Sequence, residues 1–286
     1  MEGTLDALDL LDARQFQIVI RRLADSLSYG TDHSPFLGSG LEYVQSRPYQ
    51  AGDPVRSIDW RVTARTGRFH IKEFESPKRM PVYLVVDTSA SMTISSTKKS
   101  KYATALFLAG GLALACLDRV SPVGLIGVGG RGVLVRPSLS KTQVMQWLLG
   151  LKSFRYDEDT LLSQRLGEIT PSLTNRHLMI VLSDLHEEGA LSALRRLAQL
   201  HDCAVIQLRD PAEVQLRGAG LMRAREAESG KEFWTHGRRE HLRQEEREAF
   251  LQRSGIDHLV VQTDADYVPS VRHFFESRGL LGKTGR

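Results

Sequence analysis

The chain has 286 residues, 41% apolar and 25% charged, which excludes wholesale disorder and leaves ample material for a core. Its 38 basic residues are nearly matched by 34 acidic ones, so the net charge of +4 gives a nucleic-acid binder little support. The two cysteines, Cys116 and Cys203, sit inside the apolar runs LALACL and CAVIQL and read as core thiols of a reducing compartment, not a disulfide frame.

In chain order, Leu5 to Leu27 carries apolar residues near helical spacing, and Gly30 supplies a stop. Residues 1–33 are therefore expected to form an amphipathic helix docked on the body. The opening MEGTLDALDLLDARQ lacks a basic region followed by an apolar block, so the expectation is no secretory signal and a cytoplasmic setting.

Residues 34–80 change character, being dense in Gly, Pro, Arg, Asp and aromatics. Short strands are expected near Glu42–Pro48 and Arg68–Glu75, a turn at Ala51–Pro54 and a helical turn near Ile58–Trp60. Arg47, Arg56, Arg61 and Arg65 stand near Glu42, Asp53 and Asp59. Such spacing suits a small subdomain pinned by bidentate ion pairs, with Trp60 and Tyr49 as its core; an interaction surface is the competing reading.

From residue 81 to about 280 strands and helices alternate. Strands are expected at Val82–Val86, Val123–Val128, Gly132–Arg136, His177–Ser183, Cys203–Leu208 and Asp257–Val261. Helices are expected at Lys98–Leu117, Thr142–Leu151, Leu161–Ile169, Ala190–Leu200, Arg238–Arg253 and Tyr267–Ser277, with a hairpin within Leu216–Trp234. This order argues for an α/β fold, a doubly wound and mainly parallel sheet. The uncharged stretch Tyr102–Leu117 is shorter than the ~20 residues of a membrane span and suits a core helix. Gly127, Gly129 and Gly132 satisfy G-x-G-x-x-G, but the next residues are Val133-Leu134-Val135-Arg136-Pro137, a strand. A dinucleotide loop must open a helix, so these glycines read as a hairpin turn. Lys98, Lys99 and Lys101 form one basic cluster. A second, Arg238, Arg239, Arg243 and Arg247, is interleaved with glutamates and reads as a solvated helix face.

The chemistry centres on VYLVVDTSASM, residues 82–92. An apolar β-branched run feeding into Asp87 reads as a buried parallel strand. Asp87, Ser89 and Ser91 are two residues apart, so an extended loop turns their oxygens to one side. Ligands bind at the carboxyl ends of strands in open parallel sheets, and this oxygen set suits a hard cation such as Mg²⁺. The run HLMIVLS also ends in an aspartate, Asp184, which on a neighbouring strand would share that rim. Helix capping by Asp87, Ser89 or Asp184 is the plainer alternative. A Ser183/Asp184/His186 catalytic group lacks a nucleophile elbow, and a solvent-facing loop is the preferred reading there.

The Asp-x-Ser-x-Ser motif and the later aspartate resemble a von Willebrand factor A domain. The resemblance places that family's metal-ion-dependent adhesion site on Asp87, Ser89, Ser91 and Asp184, with Thr160 as its threonine. Where relatives have Gly before the threonine, this chain has Asp157-Glu158-Asp159, adding negative charge near the rim; Leu185 stands where Gly often follows the aspartate. Upstream, Arg47-x-Tyr49, Gly52-Asp53, Arg56-x-Ile58-Asp59-Trp60 and Ala64-Arg65 narrow the resemblance to a bacterial domain-of-unknown-function family. Its members are commonly encoded beside MoxR-type AAA+ ATPases. The resemblance implies a non-enzymatic interaction module in which Mg²⁺ or Mn²⁺ takes a partner's Asp or Glu, the partner being such an ATPase. A metal-assisted hydrolase or phosphoryl transferase is the alternative.

Overall fold

The computed structural model describes residues 2–4, 21–22, 24, 42–53, 55–75, 80–155, 157–214, 221–225, 232–236 and 244–280. Residues 21–22 and 24 are helical. The rest of the expected N-terminal helix, the hairpin turn at 228–231, residues 238–243 and the tail from 281 lie outside the described residues.

The first elements are β1 (Glu2–Thr4), β2 (Glu42–Pro48), α1 (Trp60–Thr66) and β3 (His70–Glu75). β2 and β3 pair antiparallel as a small separate sheet. Asp59 caps α1, its carboxylate accepting from Arg61 N at 3.1 Å and Val62 N at 3.2 Å. Gly67 ends the helix at φ 69°, a left-handed turn that glycine adopts without a Cβ penalty. Arg47 grips Asp53 bidentately at 2.8 and 2.9 Å, as expected of a pinned subdomain. The expected aromatic core is corrected: Trp60 is 63% exposed and Tyr49 37%. Ile58 and Ile71 are buried instead, joined to each other by an antiparallel bridge. The reason is size. α1 has seven residues and buries none of them, so it offers no second layer to cover a ring. Tyr49 meets the edge of Phe69, 6.5 Å between centroids.

Next come β4 (Val82–Val86), α2 (Ala90–Thr93), α3 (Lys101–Asp118), β5 (Val123–Gly127), β6 (Leu134–Ser138), α4 (Lys141–Leu151) and β7 (Ser153–Arg155). They are followed by α5 (Leu162–Ile169), β8 (Leu178–Ser183), α6 (Ala190–Leu200), β9 (Asp202–Arg209), α7 (Pro211–Val214), β10 (Leu221–Arg225), β11 (Glu232–His236), α8 (Gln244–Arg253), β12 (Asp257–Gln262) and α9 (Val268–Leu280). β10 and β11 form the expected hairpin, and β1 pairs with β7, a contact the sequence does not announce.

The main sheet has six strands in the order β12-β9-β8-β4-β5-β6, all parallel except the β5–β6 pair. This is the doubly wound α/β architecture expected. Both faces of β4 are buried, which is why its sequence is apolar at every position and not alternating. Val82, Leu84 and Val86 pack under α3 and α4, whereas Tyr83 and Val85 face α5 and α6. Ser100 caps α3 by accepting from Ala103 N at 3.0 Å. α3 is the one described helix apolar and long enough to cross a membrane by composition, and nearly all of it is buried within the protein. Each Leu it buries contributes about 1.5–3 kcal/mol. Cys116 and Cys203 are buried and form no disulfide among the described residues, as expected of core thiols.

From β4 the chain steps to β5 on one side, then returns to β8 on the other. The strand order therefore reverses between β4 and β8, and Asp87 and Asp184 follow those two strands. In such sheets that reversal point is the crevice where ligands bind.

Candidate functional site

Asp87 and Asp184 are both fully buried on the carboxyl rim. Asp87 N donates to Leu182 O at 2.9 Å, so β8 sets the height of the loop after β4. Asp87 Oδ1 accepts from Ser89 N at 3.0 Å and Oδ2 from Ser183 Oγ at 2.6 Å. Ser89 Oγ and Ser91 Oγ are 3.1 Å apart, and Ser91 Oγ donates to Asp184 Oδ2 at 2.8 Å. Four of the five expected ligands therefore form one continuous oxygen network.

Thr160 lies in the adjoining loop. It bridges Gly129 and is buried, while Leu161 N donates to Val128 O at 2.9 Å. Glu158 places this loop: its carbonyl accepts from Ala90 N at 2.7 Å, and its carboxylate accepts from Thr88 Oγ1 at 2.7 Å and Arg131 Nε at 2.8 Å. The expectation that the acidic stretch charges the rim is corrected for Glu158, whose charge is matched by Arg131. A Cβ on Gly129 would collide with the side chains of Glu158 and Thr88, so this glycine exists for close approach.

The capping alternative does not describe these side chains. Ser89 occupies the N-cap of α2 without a side-chain cap bond, and Gly189, not Asp184, precedes α6. The solvent-facing reading of Ser183 and Asp184 is also corrected, since both are 0% exposed. Ser183 points its hydroxyl at Asp87, not at His186, and so serves as the clamp that orients the first carboxylate. Leu185 takes φ 59°, in the left-handed region that favours glycine, and its burial against the core beneath the rim holds it there.

Lys101 departs furthest from expectation. Read as part of a basic cluster, it is 1% exposed, and its ammonium donates to Asp184 Oδ2 at 2.7 Å and to Glu213. His186 Nδ1 stands 3.3 Å from the same Asp184 oxygen, and Asp184, His186 and Glu213 bring their ligand atoms within 4.8 Å of one another. Burial would raise Asp184, but Lys101, His186 and the hydrogen bonds from Lys101 and Ser91 hold it below the usual carboxylate range. Among the described residues Asp87 has no such cation. Burial and the charge of Asp184 push it up to about 7 against the hydrogen bonds of Ser183 and Ser89. Burial lowers Lys101, yet Asp184 and Glu213 outweigh it and raise the ammonium overall.

This donor set fits a hard cation: hydroxyls and carboxylates around one buried acid without a basic partner among the described residues. In the sequence, Lys101 opens a helix whose following stretch, Tyr102–Leu117, carries no charge.

The chain was compared with known proteins. Uncharacterised proteins of Mycobacterium bovis and Mycobacterium tuberculosis are each 26% identical over 236 residues, covering 80% of this chain and 74% of theirs. The crystal structure of the conserved hypothetical protein BatB from Bacteroides thetaiotaomicron superposes with a TM-score of 0.48 at 17% identity, covering 70% of this chain and 99% of that one. The family described as protein of unknown function DUF58 matches residues 45–254, from the small β2–β3 sheet through the rim to just past the end of α8. Since that match spans most of its length, the chain belongs to the DUF58 family.

Proposed function

We propose that the rim is a divalent-cation-dependent protein-interaction site. The observation that carries this reading is Asp87, a carboxylate at 0% exposure, bonded to hydroxyl and amide donors but to no basic side chain among the described residues. Keeping such a group charged is costly unless a cation joins it. Asp87, Ser89, Ser91 and Asp184 would hold Mg²⁺ or Mn²⁺, with Thr160 contributed from the adjoining loop. When bound, the ion supplies an open position for an oxygen ligand. Lys101 already compensates Asp184, so a dication beside Asp87 makes the rim receptive to one further carboxylate, an Asp or Glu of a partner. The family resemblance makes a MoxR-type AAA+ ATPase the partner to try, in a cytoplasmic setting.

Titration calorimetry of Mg²⁺ and Mn²⁺ into the full chain tests the site, with Asp87→Asn as the control. Wild type should bind one ion and the variant none. Affinity capture with and without chelator tests the interaction: partner recovery should depend on the ion and on Asp87. Equal recovery in chelator would overturn the reading. Mg²⁺-dependent turnover of a phosphoester panel that is lost in Asp184→Asn would replace it with the metal-assisted hydrolase or phosphoryl transferase.

A further inference from the structure

Where β9 ends and α8 begins, the protein buries guanidinium nitrogens that no group among the described residues satisfies. Arg209 closes β9 at 7% exposure, and its Nε and Nη2 are buried without a hydrogen-bond partner. Those two nitrogens form the side-on edge of a guanidinium, which presents parallel N–H groups to a pair of oxygens. Arg247, on α8, adds a third buried and unpartnered donor at Nη1. Arg247 lies near enough to feel the charge of Arg209, and those of Asp184 and Glu213 as well. The start of α8 is tied over β9 by Gln244 Nε2, which donates to Gln207 Oε1 at 3.0 Å; Gln207 Nε2 in turn reaches the carbonyl of Asp184 at 3.4 Å. The place therefore adjoins the rim, one strand further along the sheet.

Two facts point to what belongs there. The two carboxylates whose charge reaches Arg247 are committed elsewhere: Asp184 Oδ2 to Ser91 and Lys101, Glu213 to Lys101 and to Asp210 N. A buried guanidinium edge lacking an acceptor is costly, and an anion seated on it would repay the burial. The count of donors then selects the anion. One guanidinium edge satisfies both coplanar oxygens of a carboxylate, whereas three donors from two guanidinia suit a tetrahedral group with a third oxygen. A cavity of about 800 Å³ borders Arg247, with Leu191, Glu246 and Phe250 on its wall, and provides a way in.

We propose that Arg209 and Arg247 form a subsite for the phosphate group of a small-molecule ligand, beside the Asp87–Asp184 rim. It stands whether or not the rim holds a metal.

The test is calorimetric titration of inorganic phosphate into the full chain in chelator, so that failure of the metal reading cannot affect it. Acetate serves as the carboxylate arm and glycerol phosphate as the ester arm. Wild type should bind phosphate or its ester at least tenfold more tightly than acetate, and the tighter of the two tells a free phosphate from a phosphomonoester. Arg209→Gln and Arg247→Gln should each weaken that binding at least tenfold with an unchanged near-ultraviolet dichroism spectrum. Should Arg209→Gln fail to fold, the half-buried Arg247→Gln decides alone. Absence of phosphate binding to wild type, equal binding by Arg247→Gln, or a preference for acetate overturns the proposal.

Discussion

Arg47–Asp53 and Lys101–Asp184 are ion pairs of nearly the same length, 2.8 and 2.7 Å. The first lies on the small sheet, its side chains 31% and 16% exposed; the second lies under the rim, at 1% and 0%. Water can replace either partner of the first pair, so it fixes a turn without holding much free energy. In the second pair nothing replaces a missing partner. Lys101 makes an otherwise unaffordable pair of aspartates tolerable at the reversal of the strand order. One pair shapes a surface, and the other permits a site.

The sharpest way to break this contrast is Lys101→Ala. Removing one member of a buried pair should cost about 3–5 kcal/mol in urea unfolding, and a loss below about 1 kcal/mol would place both pairs in one class.

Next is pH. Between its ordinary value of 3.8 and about 7, folded Asp87 holds a proton that the unfolded chain releases. The unfolded state then binds fewer protons, so stability falls as pH rises through that window and levels off above it. The slope from this one group is at most about 1.4 kcal/mol per pH unit. Asp87→Asn should flatten it in chelator, as read by melting midpoints from pH 4 to pH 8; an unchanged slope would assign the titration elsewhere.

Gly129→Ala sharpens the picture of the Thr160 loop. The added methyl meets Glu158 and Thr88, and overpacking of this kind costs about 1–3 kcal/mol. Amide exchange in residues 157–161 should accelerate in this variant, and unaltered exchange would mean the loop is held by other contacts.

The smallest effect belongs to Arg47→Ala, which should leave the urea midpoint nearly where it was. The hydrogen bond from Arg47 holds Asp53 below the usual carboxylate range. Its contribution is thus present above the ordinary value and is lost as pH falls through the lowered one. A midpoint loss matching that of Lys101→Ala would abolish the distinction.

The sheet was legible because buried parallel strands are apolar throughout and bounded by polar loops. β4 and α6 have the expected limits, and the other strands and helices of the sheet domain differ by a few residues where they are described. The oxygen network was legible for a related reason: the residue after a buried strand sits on the rim, and Asp87 and Asp184 both hold that position. The cations were not. Lys101 follows Lys98 and Lys99, and Arg247 sits among glutamates, so charge patterning assigns both to solvent. Their burial depends on Asp184 and Gln207, which lie far from them in sequence. Trp60 erred the other way, because an aromatic ring signals a core only where a second layer exists to cover it.

Strand β6 bears on how the molecule behaves in a crowd. It is the outermost strand beyond β5, and its register against β5 slips between Val123 and Leu125. Pro137 lies in that slipped stretch and has no N–H to offer a newcomer. A bulge and a proline together blunt the free margin of a sheet against growth by another chain. On the β6 side, a wide and strongly apolar sheet is therefore a poor template for another chain.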